Sequence, residues 1–207
     1  MRTVHLTCFD AFGRLRENPT RPLVASLTPP ADWRTVRTVL PTSYARVRPA
    51  VDRVFDQRPA AVLMFGYTSK TDRLRLEHAA RNRDGSRRPD NDGRFGGRII
   101  RPSGPAVYPS TADLSPVLLA LHGQFEPFTY SIDAGGFVCN HSYYLALERA
   151  WSAQPVIPCL FVHIPLPQSA AQRAQIRRSA AVVLDCLLRA AGARARAAGD
   201  SAWAQVS

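Results

Sequence analysis

Two runs of apolar residues constrain the fold of this chain more than any other feature. They are AAVLMFG at residues 60–66 and PCLFVHI at residues 158–164. The first run has no polar interruption and is typical of a strand that is covered on both faces of a sheet. The second predicts a further strand. Segments with helical spacing lie between such strands along the chain, and this alternation predicts an α/β sandwich.

Weaker patterns predict the other strands and the helices. TVHLTCF (3–9), TVRTVLP (35–41) and PFTYSID (127–133) predict strands. Apolar residues at helical spacing predict helices over residues 44–55, where Pro49 must lie in a first turn or kink the helix, over 74–82 and over 139–151. The remainder of the segment 66–116 is polar, rich in arginine and interrupted by glycine and proline, which predicts a long loop.

The last helix has the clearest start signal. Ser169 and Gln172 have the spacing of a capping box, and one helical face is apolar at Ile176, Ala180, Val183, Leu184 and Leu187. The periodicity is lost after Ala191. We therefore expect one domain over residues 1–191 and a frayed tail over 192–207.

The charge does not identify a partner. A net charge of +11 suggests nucleic acid or an acidic membrane surface, yet Lys70 is the only lysine among 27 basic residues, which indicates a compositional bias. The basic segments lack the interleaved aromatic residues that stack on single strands. No run approaches the length of a membrane span, and the N-terminus has no apolar signal segment. We expect a cytoplasmic protein with no specific nucleic-acid partner and no membrane partner.

The cysteines favour neither a metal site nor a disulfide framework. Cys8, Cys139, Cys159 and Cys186 are widely spaced and include no C-x-x-C pair. We expect all four thiols to be reduced and the protein to need no metal or other cofactor.

Cys139 is the strongest candidate for a nucleophile. It follows AGGFV (134–138) at the predicted start of a helix, where free backbone N–H groups would lower the pKa of a thiol and stabilise an oxyanion. The alternative is a buried, unreactive thiol at the same position.

A catalytic thiol needs a base and a group that orients it. His141 is two residues from Cys139 and would face another way on a helix, whereas His163 ends the strand at 158–164 and could face a helix start. Either Glu77 or Asp90 could orient the imidazole.

Several motifs together resemble those of the type I pyroglutamyl peptidases, also called pyrrolidone carboxyl peptidases. TCFDAFGRLRENPT, LEHAARN, RRPDNDG, AGGFVCNHSYYLAL and FVHIPLPQ occur in the family order over residues 3–168. The resemblance implies Cys139 as nucleophile, His163 as general base and Glu77 as the orienting carboxylate. It also implies an α/β/α sandwich around a twisted mixed sheet, a homotetramer, no metal, and removal of an N-terminal pyroglutamyl residue from peptides.

Pyroglutamate is an uncharged lactam, so its recognition requires an apolar slot with a few hydrogen-bonding groups. Arg87 is in addition a candidate to help hold the oxyanion. The candidate substrate-binding residues are Phe9, Phe12, Thr42, Arg87, Arg88, Phe137 and Val138.

Three segments depart from the family pattern. CFDAFGR (8–14) and GYTSKTD (66–72) lack glycines that the family has, and Arg88 replaces an apolar residue of the family's substrate pocket. These changes leave two rival hypotheses: the same triad with a different N-terminal acyl preference, or a binding protein that keeps the fold without catalysis. If Arg88 points into the pocket, replacing it with isoleucine should increase turnover of a pyroglutamyl substrate.

Overall fold

The computed structural model describes the backbone of residues 1–203 and the side chains of residues 1–193. Its strands are β1 (Arg2–Phe9), β2 (Trp33–Leu40), β3 (Ala61–Tyr67), β4 (Leu74–Glu77), β5 (Ala79–Arg81), β6 (Val107–Pro109), β7 (Phe128–Ser131) and β8 (Cys159–Ile164). Its helices are α1 (Thr20–Ser26), α2 (Val47–Asp56), α3 (Ser115–Gly123), α4 (Val138–Ser152) and α5 (Ala170–Trp203).

Six strands form the central sheet in the order β2-β1-β3-β8-β4-β7. The neighbours among β2, β1, β3 and β8 are parallel, β4 is antiparallel to β8, and β7 is parallel to β4. The sheet is therefore mixed, and its direction changes between β8 and β4. A separate two-stranded sheet pairs β5 with β6.

Two apolar cores cover the two faces of the sheet. One core holds buried residues of α1, α3 and α5, and the other holds those of α2 and α4. β3 and β8 contribute to both cores, because successive side chains of a strand point to opposite faces. This arrangement confirms the predicted α/β/α sandwich.

Most of the predicted elements are confirmed close to their expected bounds. The apolar runs form β3 and β8, and every residue of these two strands is buried except the half-buried Tyr67. Pro49 lies in the first turn of α2. Backbone N–H groups in a first turn have no intrahelical acceptor, so the N–H group that proline lacks costs no helical hydrogen bond. At the start of α5 the N–H of Gln172 donates to Oγ of Ser169 over 3.1 Å, as half of a capping box.

The predicted helix over residues 74–82 is wrong. This segment forms β4 and β5, and the apolar residues Leu74 and Leu76 are both buried on either side of the half-buried Arg75. That alternation has a period of two and suits a strand with neighbours on both sides, here β8 and β7. Pairing within the sheet therefore decided the conformation of a segment whose local pattern was ambiguous.

Two boundaries also differ from expectation. β6 and α3 begin inside the segment that the sequence suggested was loop, and α5 continues past residue 191 to Trp203. The alanine and arginine residues beyond 191 favour helix even without an apolar face. Residues 204–207 of the expected tail lie outside the described part of the chain. Within the described part, no helix is long and apolar enough to cross a membrane.

Candidate active site

Cys139 is the second residue of α4, and its surroundings leave the helix N-terminus free to act on a ligand. Phe137 is the N-cap in an extended conformation and makes no capping hydrogen bond through its side chain, and the first turn has no acidic residue. The backbone N–H groups of the first turn therefore receive no hydrogen bond from the side chain of the N-cap residue. They lie at the positive end of the helix dipole, where they can stabilise a negatively charged atom.

The glycine pair before the helix has two different physical roles. Gly135 adopts a φ of +89°, a left-handed conformation that strongly favours glycine. Gly136 packs against the backbone of the loop at Gly85, which lies earlier in the chain, since a Cβ on Gly136 would lie 2.8 Å from the N atom of Gly85. Its carbonyl oxygen accepts hydrogen bonds from the N–H groups of Gly85 and Ser86, each over 2.9 Å. The pair thus fixes the 85–86 loop beside the helix start.

His163 and Glu77 come together across the antiparallel pair of β8 and β4. Nδ1 of His163 lies 2.7 Å from Oε1 of Glu77, whose side chain is fully buried. A carboxylate oxygen only accepts, so in the neutral ring the proton lies on Nδ1 and Nε2 has a free lone pair. The ring of Phe161 packs against the imidazole at a centroid distance of 4.8 Å.

Arg75 offsets the charge of the buried carboxylate. Its Nε lies 2.8 Å from Oε1 of Glu77, and its Nη2 donates to Oγ of Ser131 and to the carbonyl oxygen of Asp133, each over 2.7 Å. Sequence reasoning missed this residue. The available signal was the i, i+2 spacing of Arg75 and Glu77, which places both side chains on one face of a strand.

The strand register brings the thiol and the imidazole to the same face of the sheet. Gly66 pairs with His163 across β3 and β8, so the missing side chain leaves space beside the imidazole. A Cβ at Gly66 would lie 3.0 Å from Sγ of Cys139 and 2.7 Å from the ring of Phe161. The sulfur therefore occupies the space above Gly66, next to the strand position of His163.

The thiol is not an acidic one. Burial, followed by the negative charge of Glu77, raises the pKa of Cys139 to about 12. This differs from the lowered pKa that the helix N-terminus alone predicts, because desolvation of the charged form outweighs the favourable backbone groups. Chemistry at this sulfur therefore requires a neighbouring base to take the proton. All four cysteines are free thiols.

A cavity of about 470 Å³ opens over the thiol. Cys139 and His163 both line it, while Glu77 lies behind His163. Every candidate substrate-binding residue also lines it, namely Phe9, Phe12, Thr42, Arg87, Arg88, Phe137 and Val138.

The aromatic wall of the cavity is formed by Phe12 and Phe137, whose ring centroids are 4.7 Å apart. The hydroxyl of Thr42 is buried and has no hydrogen-bond partner among the described residues. Arg87 and Arg88, in contrast, are exposed at the mouth of the cavity.

Asp90 is not an orienting group for a histidine. Its carboxylate accepts from the backbone N–H groups of Tyr44, Asp92 and Arg94 over 2.8, 2.9 and 2.8 Å. Asp90 thus holds two loops together. Asp10 supports the same region, because its Oδ1 accepts from the N–H of Thr42 over 2.8 Å.

His141 belongs to a separate pair. Its Nδ1 lies 2.8 Å from Oδ2 of Asp84, and its ring packs against Tyr44 at 5.5 Å. Asn140, which sequence reasoning did not single out, joins α4 to β5: its Oδ1 accepts from the N–H of Arg81, and its Nδ2 donates to the carbonyl oxygens of Arg81 and Arg83. These contacts fix the orientation of the first turn of α4.

Comparisons with known proteins agree with this fold and site. Residues 2–200 match the family model described as pyroglutamyl peptidase. Pyrrolidone-carboxylate peptidase 1 of Caldanaerobacter subterraneus subsp. tengcongensis is 30% identical over 81% of this chain and 85% of its own length. The pyrrolidone-carboxylate peptidase of Streptococcus suis is 34% identical over 79% of this chain and 78% of its own.

Solved structures show the same architecture. The pyrrolidone carboxyl peptidase of Thermus thermophilus has a TM-score of 0.80 and 28% identity, with 88% of this chain and 98% of that chain covered. A variant of the Pyrococcus furiosus enzyme has a TM-score of 0.83 at 22% identity, over 90% and 98% of the two chains, and supports the fold alone. The family match over residues 2–200 identifies the chain as a cysteine peptidase. The chain belongs to the pyroglutamyl peptidase family.

Proposed function

We propose that this protein is an exopeptidase that removes an N-terminal pyroglutamyl residue from peptides through Cys139, His163 and Glu77. The observation that carries the proposal is the arrangement at one cavity: Cys139 and His163 both line it, and Glu77 lies 2.7 Å from Nδ1 of His163. Membership of the pyroglutamyl peptidase family supports the same activity.

In the acylation half-reaction, Nε2 of His163 takes the thiol proton as Sγ of Cys139 attacks the carbonyl carbon of the pyroglutamyl residue. The high pKa of the thiol makes this transfer simultaneous with attack, because little thiolate exists beforehand. Glu77 holds the ring in the tautomer that leaves Nε2 unprotonated, and it stabilises the imidazolium that forms. The N–H groups of the first turn of α4 stabilise the oxyanion, with Arg87 near the same cavity.

The tetrahedral intermediate then collapses. The C–N bond breaks, His163 returns its proton to the leaving amine, and the pyroglutamyl group remains as a thioester on Cys139. His163 next takes a proton from water, which attacks the thioester carbonyl and releases pyroglutamate while the proton returns to sulfur. No step needs a metal or a redox cofactor.

The cavity chemistry suits an uncharged lactam. Phe12, Phe137 and Val138 supply apolar surface, and the buried hydroxyl of Thr42 has unused hydrogen-bonding capacity among the described residues. A lactam offers one N–H and one C=O beside an apolar ring, so a hydroxyl and backbone groups suffice for its recognition. A free α-ammonium group would find no carboxylate here except Asp133, which lies 3.5 Å from Arg81.

The test is hydrolysis of a pyroglutamyl arylamide by the purified protein, beside prolyl, alanyl and N-acetylalanyl arylamides. We expect cleavage of the pyroglutamyl substrate and at least about tenfold lower kcat/KM for the others, because they lose the lactam contacts. Cys139→Ala protein prepared in parallel is the control for contaminating peptidases. Preferential cleavage of another acyl arylamide would replace the pyroglutamyl assignment with a different acyl preference, and no cleavage of any would favour a binding protein.

We also propose that the enzyme works in the cytoplasm as a homotetramer, as its resemblance to the family implies. A reducing compartment keeps a catalytic thiol free, and all four thiols here are free. Cell fractionation tests the location, and light scattering of the purified protein tests the assembly. A monomer across the working concentration range would contradict the tetramer.

A further inference from the structure

An open groove of about 890 Å³ adjoins the active-site cavity. The two share the lining residues Ser69, Lys70, Arg75 and Asp133, so a peptide that extends out of the cavity on this side passes beside the groove. Beyond this shared part, the groove is lined by residues 71–73, which precede β4, by the end of β7 and by Ile132. Tyr130 and Ile132 there are 48% and 61% exposed, and they offer apolar surface to a peptide.

The groove lies on the side of the site from which the amine departs. Under the proposed mechanism, His163 protonates the leaving amine, so the peptide beyond the scissile bond lies on the His163 side of Cys139. Arg75 is the strand partner of His163 across β4 and β8, and Arg75 lines both the cavity and the groove. The pyroglutamyl ring, in contrast, is taken by the slot at Phe12 and Phe137.

Three exposed cations line the cavity, and one of them, Lys70, also lines the groove. Lys70 follows β3, and Arg87 and Arg88 lie in the loop that packs on Gly136. None of the three is within ion-pair distance of a carboxylate among residues 1–193. The carboxylates that do line these spaces are already paired: Asp72 lies 2.8 Å from Arg73, and Asp133 lies 3.5 Å from Arg81.

The cavity therefore carries unbalanced positive charge at its exposed residues, and Lys70 extends this charge to the groove that would take the first residues after the scissile bond. Clefts lined by one sign of charge raise the local concentration of substrates of the opposite sign. We infer that this enzyme selects pyroglutamyl peptides that carry an acidic residue directly after the pyroglutamyl residue, and that Lys70 and Arg88 are the specificity-determining residues. This inference rests on the proposed function.

The experiment compares release of pyroglutamate from three peptides that differ only at the second position: pyroglutamyl-Glu-Ala-Ala, pyroglutamyl-Gln-Ala-Ala and pyroglutamyl-Lys-Ala-Ala. For the wild type we expect kcat/KM to fall in that order, with the first and last about tenfold apart at low salt, as for a few exposed ion pairs. The ratio should shrink as salt is raised. Lys70→Gln combined with Arg88→Gln should bring the ratio within about twofold of one.

Arg34→Gln combined with Arg53→Gln is the matched control, because both arginines are exposed, neither lines the cavity or the groove, and the change removes two positive charges as the double variant does. It should keep the wild-type ratio. Binding of the same three peptides to Cys139→Ala protein gives a readout that does not need turnover, and it should show the same order.

The possible outcomes distinguish failure of the acidic preference from failure of the proposed exopeptidase activity. Equal kcat/KM on the three peptides, or a ratio that the double variant leaves unchanged, would overturn the acidic preference while the exopeptidase stands. A ratio that the control variant at Arg34 and Arg53 reduces as much as the variant at Lys70 and Arg88 would assign the effect to net charge and also overturn the acidic preference. Failure to release pyroglutamate from all three peptides would overturn the proposed function and this inference with it.

Discussion

The molecule has two histidine–carboxylate pairs of nearly the same geometry, and they differ in what they face. His163 and Glu77 are 2.7 Å apart across β8 and β4, while His141 and Asp84 are 2.8 Å apart between α4 and the loop after β5. In both, Nδ1 of the ring faces the carboxylate. Hydrogen-bond geometry alone therefore does not tell which pair is catalytic.

Access to the thiol separates the two pairs. His163 lines the cavity with Cys139, whereas His141 points to Asp84 and Tyr44 and does not line it. The second pair instead fixes the loop at Gly85, which packs on Gly136 ahead of the nucleophile. One pair can move a proton at the reacting atom, and the other holds the backbone around it.

The carboxylates are also compensated differently. Each carboxylate has one buried oxygen without a hydrogen-bond partner among the described residues, namely Oε2 of Glu77 and Oδ1 of Asp84. Glu77 has a guanidinium beside it in addition to its histidine, with Nε of Arg75 2.8 Å from its Oε1, whereas the ion pair of Asp84 among the described residues is with His141. When His163 becomes an imidazolium during the proposed reaction, the carboxylate of Glu77 beside it stabilises that charge.

The largest expected effect comes from removing the thiol that lines the cavity with His163. Cys139→Ala should abolish pyroglutamyl-arylamide hydrolysis, because the proposed acyl intermediate forms on the sulfur of Cys139. Circular dichroism and thermal unfolding should remain close to wild type, since alanine fits a helix start and little packing is lost. Cys186→Ala is the matched control and should keep its activity. Comparable turnover by the Cys139 variant would remove the nucleophile assignment.

The next test sets the two histidines against each other. His163→Ala should lower kcat/KM by at least about a hundredfold, as for loss of a general base. His141→Ala should cost less than about tenfold, because it loosens a loop and leaves the proton transfer intact. Both variants are assayed on one substrate, with their melting temperatures measured beside them. Equal losses at equal stability would contradict the division of roles.

The carboxylates give a smaller effect in the same direction. Glu77→Gln should lower kcat by about tenfold to a hundredfold, because an amide can donate to Nδ1 and stabilise the tautomer in which Nε2 carries the proton. Asp84→Asn should change kcat by only a few-fold. The pH profile of kcat/KM distinguishes a catalytic role, since loss of Glu77 should move its acidic limb while loss of Asp84 leaves the limb in place. A shifted limb in the Asp84 variant would show that the second pair is coupled to the chemistry.

The sequence predicted the parts of this comparison that depend on local pattern. The apolar run at β8 and the spacing of α4 placed His163 at a strand end and Cys139 at a helix start, and helical geometry excluded His141 as a partner of the thiol. Glu77 could be preferred to Asp90 only through the family motifs, because their burial and partners are not local properties. Asp90 holds backbone N–H groups, a role that requires loops distant in sequence.

The predictions that were wrong, and the residue that was missed, also depend on contacts between segments distant in sequence. Leu74 and Leu76 fit either a helix or a strand over so short a stretch, and pairing with β8 and β7 decided between them. Arg75 was missed because its role exists only once β4 is a strand beside His163. The helix start alone predicted a low pKa for the thiol of Cys139. In the folded protein, burial of the thiol and then the negative charge of Glu77 raise that pKa instead.

The raised pKa of Cys139 gives a test of how His163 and Glu77 activate the thiol. Because the pKa of Cys139 is about 12, its thiolate fraction should rise about tenfold for each pH unit between 6 and 9, and alkylation by iodoacetamide should rise with it. The rate is measured without substrate, with Cys139→Ala protein as the background for the other thiols. A plateau near neutral pH would indicate a preformed thiolate–imidazolium pair instead of a base that acts during attack.

The smallest expected effect concerns Arg88, where the sequence and the structure lead to different predictions. An arginine inside an apolar slot would obstruct it, and Arg88→Ile would then increase pyroglutamyl-arylamide turnover. The side chain is instead exposed at the cavity mouth, where its charge stays hydrated and its removal frees little space. We therefore expect Arg88→Ile to change kcat/KM for the uncharged arylamide by less than about twofold, in keeping with substitutions at exposed positions. A several-fold increase would mean that the side chain enters the slot when substrate binds, and it would make Arg88 a determinant of the acyl group rather than of the residue that follows it.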